Sequence, residues 1–315
     1  MKTSRIILGA AAAAGAAHLA ATSAARRLDQ TTDRYQPEEL LHPPPGNSSW
    51  LDRNDGTRLR VSEAGSGPTV VLAHGYALSA MSWNLVAERL VAAGHRVITF
   101  DQRGHGGSTI GTDGISSSVM AEDYRALLDH FNVTDGVLVG QSMGAFLALK
   151  YLVDHPEHAR THLRGAVLVS PIHGGLGRDP LGRARTKFMK YPLAATVLSN
   201  QIYGRVALAD AFGAPSPSLV EALQAEVGTA DYAQIHPAID MMVEEDLAPR
   251  IAEIELPVSV ITGSEDRTSP PTQARLIAAN LLHGELVWLE GRGHMLGWEA
   301  VDEIVRRVQE RILVS

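Results

Sequence analysis

The pentapeptide Gly140-Gln141-Ser142-Met143-Gly144 constrains this chain more than any other stretch. It follows the apolar run Gly136-Val137-Leu138-Val139 and opens the run Ala145-Phe146-Leu147-Ala148-Leu149-Lys150-Tyr151-Leu152. The first run is of strand type and the second of helix type, so a few residues must turn a strand into a helix. A serine at the apex of so tight a turn is pushed out of the sheet, its hydroxyl exposed above the helix N-terminus. The flanking glycines suit the turn because neighbouring backbone must pass where a Cβ would clash.

The strand–helix rhythm extends in both directions. Asp55-Gly56, between 50–53 and 58–62, predicts a hairpin. Thr69–Ala73 is a continuous apolar run suited to a strand buried on both faces, ending at His74-Gly75-Tyr76. A helical pattern through Trp83, Val86 and Leu90 stops at Gly94, and Arg96–Phe100 is the next strand. A helix over 120–131 and a strand over 165–169 continue the series. This alternation predicts an α/β fold with a mostly parallel central sheet flanked by helices. Ligands of such sheets bind beyond the carboxyl ends of the strands, where His74, Asp101, Ser142 and Ser170 fall.

After Pro171 the rhythm breaks. Residues 172–253 show no strand pattern, only short helices expected at 183–189, 194–203, 218–227 and 239–245. Gly174-Gly175, Pro192, Pro215, Pro217 and Pro237 separate them. Strands at 257–262 and 285–289, a helix at 272–282 and a closing amphipathic helix at 301–312 resume the series. The expected organisation is therefore a core of residues 50–171 and 254–315 interrupted by a helical cap at 172–253. A linker at 28–49, carrying Pro37 and Pro43-Pro44-Pro45, precedes the core. Residues 1–27 form an alanine-rich apolar segment behind Lys2 and Arg5, predicting export or membrane tethering, with a cytoplasmic location as the alternative.

Composition excludes several chemistries. A formal net charge of −7 over 315 residues disfavours nucleic acid as a partner, because phosphate binding needs a basic face. With no cysteine there is no disulfide, thiolate metal site or cysteine nucleophile. No Gly-rich phosphate loop is present and no His/Glu cluster shows metal spacing, so neither cofactor nor metal is expected.

With Ser142, an acid after the penultimate strand and a histidine after the last, the chain resembles the α/β-hydrolases from about Trp50 to its end. The resemblance rests on His74-Gly75-Tyr76, Gly140 to Gly144, Gly263 to Asp266 and Gly293-His294. The helical insertion stands where that family carries its cap. A serine elbow with such a cap is most similar to the esterase and lipase branch, although Gln141 replaces the histidine of many lipases. Serine at the elbow, rather than aspartate, argues against dehalogenase and epoxide hydrolase chemistry.

The resemblance assigns roles. Ser142 would be the nucleophile, His294 its base, and Asp266 the acid that orients the imidazole, with adjacent Glu265 as the alternative. The backbone N–H groups of Tyr76 and Met143 would form the oxyanion hole. His74, Arg103 and His105 read as bracing groups. The expected activity is hydrolysis of a small hydrophobic ester or acyl substrate through an acyl-enzyme. Haloperoxidase or perhydrolase chemistry and carbon–carbon bond hydrolysis use the same triad, and a binding protein that keeps the fold without turnover is the non-enzymatic reading.

Overall fold

The computed structural model describes residues 2–176, 180–191 and 193–313. Among these residues eight strands form one sheet: β1 (Asn47–Asp52), β2 (Arg58–Ala64), β3 (Thr69–Ala73), β4 (Arg96–Phe100), β5 (Gly136–Gln141), β6 (Leu163–Val169), β7 (Val258–Gly263) and β8 (Gly284–Leu289). Their order is β1-β2-β4-β3-β5-β6-β7-β8. The β1–β2 hairpin turns at Asp55-Gly56 and pairs antiparallel, and β3 to β8 run parallel. The expected α/β architecture is the observed one.

Apolar residues on both faces explain why the sheet is central. Leu138, Ala166, Leu168 and Val71 pack into one cluster, beneath the helices Ser117–His130 and Met143–Asp154. Their neighbours Val137, Val139, Val167, Val169, Val70 and Leu72 point the other way, against Asn84–Ala92 and Val301–Leu313. Period-two alternation with no polar face is the mark of a strand covered on both sides. Parallel register aligns the carboxyl ends: Ala73 pairs with Phe100 and Gly140, Gln141 with Val169, and Val169 with Ile261. The loops that follow these strands therefore open on one edge.

Between β6 and β7 the chain forms the helices Pro180–Met189, Leu193–Leu198, Tyr203–Ala209, Pro217–Thr229 and Tyr232–Glu244. Pro192, expected as a breaker, lies outside the described residues. Pro237 does not end its helix, contrary to expectation. It lacks the N–H that would bond the Ala233 carbonyl, and His236 Nδ1 lies 2.9 Å from that oxygen and donates to it instead. The entry and exit of the insertion are clasped by a bridge between Gly174 and Asp246, with His173 Nδ1 2.9 Å from Asp246 Oδ1.

The amino-terminal segment departs from expectation. Lys2–Leu28 is one helix, and among the described residues no helix is long and apolar enough to cross a membrane. The alanine that dominates the segment contributes too little apolar surface, and export or tethering through it is not supported. Its later part packs on the cap instead: Ala25 and Leu28 are buried, His18 Nδ1 meets Tyr203 Oη at 2.9 Å, and Asp29 pairs with Arg205 at 2.7 Å. The stretch expected as a linker is also docked. Leu40 is fully buried, and Asn84 Nδ2 donates to the carbonyls of Glu39 and Leu40.

One buried ion network fixes the loop after β4. Arg103 makes two 2.9 Å bonds to Asp123 and also bonds Asp55 and Thr57, while Arg53 reaches Asp123. Burial would raise the Asp55 carboxyl, but hydrogen bonds from Arg103 and Thr57 hold it well below the usual carboxylate range. Replacing Arg103 by Met leaves Asp55 buried without its cation, and stability in urea should fall by about 3–5 kcal/mol.

Candidate active site

The strand-to-helix turn holds Ser142 at φ 53°, ψ −112°, a region that costs a non-glycine residue on the order of 1–3 kcal/mol. Surrounding bonds enforce it. Ser142 N–H donates to Val169 O at 3.0 Å, and Ser142 O accepts from Phe146 N–H at 2.9 Å. Gln141 and Met143 are buried, and Ser142 alone of the three stays partly exposed. Among the described residues its hydroxyl makes no hydrogen bond, and nucleophile–base bonds of this kind often tighten only when substrate is bound.

His294 lies in the loop after β8. Its Nδ1 is 2.9 Å and 3.1 Å from the two oxygens of Asp266, which sits in the loop after β7. That contact assigns the proton to Nδ1 and leaves Nε2 as the basic nitrogen. Asp266 is buried and accepts further bonds from Thr268 N–H (2.9 Å) and Ser269 N–H (2.8 Å), which hold the carboxylate still. Glu265, its sequence neighbour, is exposed and lies 3.9 Å from Arg267. Geometry thus places Asp266, not Glu265, against the imidazole.

Two side chains that had no expected role in the site tie the His294 loop to the turn at Ser142. Gln141 Nε2 donates to the His294 carbonyl at 3.1 Å, and Ser170 Oγ donates to the same oxygen at 2.9 Å. Gln141 thus ties the turn that carries Ser142 to the loop that carries His294.

The loop after β3 passes beside Ser142; a Cβ on Gly75 would lie 3.5 Å from the Ser142 Cβ. The Tyr76 N–H, in this loop, has no hydrogen-bond partner among the described residues, and Met143 opens its helix, where N–H groups lack intrahelical acceptors. His74 braces the loop. Its Nδ1–H donates to Gly75 O at 2.7 Å, and its Nε2 accepts from Gln102 N–H at 2.9 Å. Burial lowers its pKa to about 4, so it is neutral at pH 7. His105, packed 5.5 Å from it, is lowered to about 3 by burial and by His74.

These features have a known setting. Residues 70–307 match the model of the alpha/beta hydrolase family. The chain belongs to that family. A non-heme haloperoxidase from Rhodococcus erythropolis is 28% identical over 242 residues, covering 74% of this chain and 87% of its own. A 2-hydroxy-6-oxononadienedioate/2-hydroxy-6-oxononatrienedioate hydrolase from Paraburkholderia xenovorans is 26% identical over 278 residues, covering 82% and 92%. In fold, the chain is similar to an esterase from Exiguobacterium antarcticum, with a TM-score of 0.74 at 21% identity, covering 85% of this chain and 99% of that one.

In this hydrolase the insertion grips both the loop after β3 and the loop of His294. Tyr76 Oη donates to Met189 O at 3.3 Å, and its ring packs edge-on against Tyr232. Glu226, on the helix Pro217–Thr229, accepts from Ser79 N–H (2.8 Å) and Ser79 Oγ (3.0 Å), just beyond Tyr76. On the other side, Glu299 accepts from Gly293 N–H (2.9 Å), Gly213 N–H (3.0 Å) and Ala214 N–H (3.1 Å), joining the His294 loop to the insertion. His294 N–H itself donates to Ala211 O at 2.7 Å. Neither glutamate was apparent as functional in sequence. The available signal was a lone charge in an apolar setting, Leu296-Gly297-Trp298-Glu299-Ala300-Val301 and the stripe Leu219, Leu223, Val227 around Glu226.

Burial raises the Glu226 carboxyl above its ordinary value, with Asp101 adding to the shift, and hydrogen bonds from Ser79 oppose it. A raised folded pKa means the native state binds the proton more tightly than the unfolded chain does. Its favourable contribution is full below the unfolded value of about 4.3 and is lost as pH rises through the folded value. Glu226→Gln keeps an acceptor for Ser79 and removes the titration. Wild-type stability relative to this variant should therefore increase on going from pH 7 to pH 4.5, measured by urea unfolding at both values.

Proposed function

We propose that this protein is a serine hydrolase that cleaves a small carboxylic ester through an acyl-enzyme. The observation that carries this reading is the buried Asp266 carboxylate bonded to His294 Nδ1, on a loop tied by Gln141 to the turn that exposes Ser142. In this reading His294 Nε2 takes the proton of Ser142 Oγ as that oxygen bonds the ester carbonyl carbon. The tetrahedral oxyanion is received by the N–H groups of Tyr76 and Met143. Collapse breaks the ester C–O bond, and His294 returns the proton to the departing alcohol. Water, deprotonated by the same nitrogen, then displaces Ser142 and releases the acid.

The cap residues 172–253 supply the substrate's surroundings in this proposal. Their buried surface is largely apolar, with Leu208, Phe212, Leu219, Leu223 and Tyr232 in one cluster that also takes in Met295 and Trp298 beside the base loop. That favours a hydrophobic acyl or alcohol group. A second reading is favoured by the haloperoxidase and carbon–carbon hydrolase names among the relatives. With peroxide in place of water, the same acyl-enzyme would release a peracid, and a C–C hydrolase would use the same serine on a ketone.

A fluorophosphonate should add its mass to Ser142, and Ser142→Ala should abolish the label. A label that survives this substitution overturns the nucleophile assignment. Against a chain-length series of nitrophenyl esters, Asp266→Asn should lower kcat by about 10⁴ with little change in KM, because the imidazole loses the partner that sets its tautomer. Halide oxidation in acetate and peroxide, with esters left intact, would favour the second reading.

A further inference from the structure

Two histidines one helical turn apart face a carboxylate at the end of the sheet opposite Ser142. His158 and His162 lie on the helix Pro156–His162, which leads into the amino end of β6. Asp129 lies near the end of the helix Ser117–His130. His158 Nε2 is 2.9 Å, and His162 Nε2 is 3.4 Å, from the same oxygen, Asp129 Oδ1. Candidate ligand atoms of all three residues lie within 4.8 Å of one another. The i, i+4 spacing of the two histidines stands in the sequence, against the expectation that no metal spacing is present, and only Asp129 comes from a different helix, before β5.

The hydrogen bonds behind the rings say what the contact needs. His162 Nδ1 is 2.9 Å from the His158 carbonyl, which can only accept, so this nitrogen carries the proton. A neutral His162 then turns a bare Nε2 lone pair toward the Asp129 oxygen, an acceptor facing an acceptor. His158 Nδ1 is 2.7 Å from Tyr151 Oη, a hydroxyl that accepts as readily as it donates, so the Nε2 of His158 is also free to be the bare nitrogen. A second proton on His162 would set an imidazolium against the His158 ring, which is stacked on it at 3.9 Å. Arg125 does not resolve the conflict, since it approaches the other oxygen, Asp129 Oδ2, at 3.5 Å. Glu122 and His155 pair with each other alongside, at 3.3 Å.

We propose that Asp129, His158 and His162 form a binding site for a divalent transition metal, with zinc the best match to two imidazoles and one carboxylate. Bonds of about 2.0–2.1 Å at a tetrahedral angle place ligand atoms about 3.3 Å apart, and the observed separations of 2.9 and 3.4 Å bracket that value. Ligating imidazoles are oriented by the partner of their other nitrogen, the role that the His158 carbonyl and Tyr151 already fill. The rings leave their stacked arrangement by rotating about their Cβ–Cγ bonds to converge on the ion. Asp129 is 48% exposed, which leaves the remaining coordination to water. Nitrogen donors discriminate against magnesium and calcium. The ion staples two helices at the amino ends of β5 and β6, away from the loops that carry Ser142 and His294. Metal bound only to the native state raises its stability.

The test is calorimetric titration of chelator-treated, full-length protein with zinc chloride, with thermal scans in zinc and in magnesium. One zinc per chain and a Tm raised by zinc but not by magnesium are expected. His162→Gln and Asp129→Asn should each weaken zinc binding by at least about tenfold, and Tyr151→Phe should weaken it through the ring it orients. Cobalt(II) on the wild-type protein should give visible d–d bands that zinc abolishes, a readout that needs no variant to fold. Absence of zinc binding, a cobalt spectrum no different from the aqueous ion, or full binding by the double variant His162→Gln/Asp129→Asn overturns the proposal.

Discussion

A Cβ on Gly140 would sit 2.4 Å from the Gly144 carbonyl oxygen, and one on Gly144 would sit 2.4 Å from that of Ala73. These are backbone atoms, which cannot step aside as a flexible side chain does. The start of the helix Met143–Asp154 therefore lies directly against β5 and β3, and Ser142 has no room to relax from its positive φ. Everything proposed for the site inherits its position from this contact. Tyr124 closes it from the side, its hydroxyl reaching both the Gly144 carbonyl (3.2 Å) and Gln102 (3.0 Å), the side chain that holds the loop after β3. The strain at the serine is offset by the packing of an almost wholly buried helix behind it.

Two buried glutamates join the insertion to the loops of the site. Glu226 and Glu299 are both buried and both raised by burial; Glu299 accepts three backbone N–H groups, and Glu226 accepts the N–H and the hydroxyl of Ser79. An apolar contact would have been cheaper in desolvation, but it would fix neither loop in orientation, whereas a carboxylate accepting two or three N–H groups fixes both distance and angle. Asp101 does the same within the core, accepting from Ala80 N–H and Gly107 N–H at 2.8 Å each. The turn at Ser79–Ala80 is thus held by Glu226 from the cap and by Asp101 from the sheet. The insertion bears directly on the loop that carries Tyr76.

Much of the architecture was legible because each strand of the sheet repeats one local pattern. Buried parallel strands read as apolar runs, and β3 and β4 match their expected bounds residue for residue. Ser142 was legible for the same reason, since its turn is confined to neighbours in sequence. The insertion was read less well. Its helices are short, their apolar faces meet partners far away in the chain, and a proline signal was overridden at Pro237 by one histidine side chain. The amino-terminal helix misled because an alanine run has the same length whether it meets lipid or protein; its contacts with Tyr203 and Arg205 are invisible to composition.

The sequence by itself determined which strands alternate with which helices, where Ser142 stands, and that an acid and a histidine follow it after two later strands. These are properties of residues close together in the chain, where period and turn chemistry suffice. Only the tertiary structure decided between Glu265 and Asp266, because adjacent residues on a loop differ in direction and not in spacing. It alone brought Gln141 and Ser170 to the His294 carbonyl, Glu226 to Ser79, Glu299 to Gly213 and Ala214, and Asp129 to His158 and His162. Each of these joins segments separated by at least one whole element, and what selects them is the register of the parallel sheet, which no local pattern records.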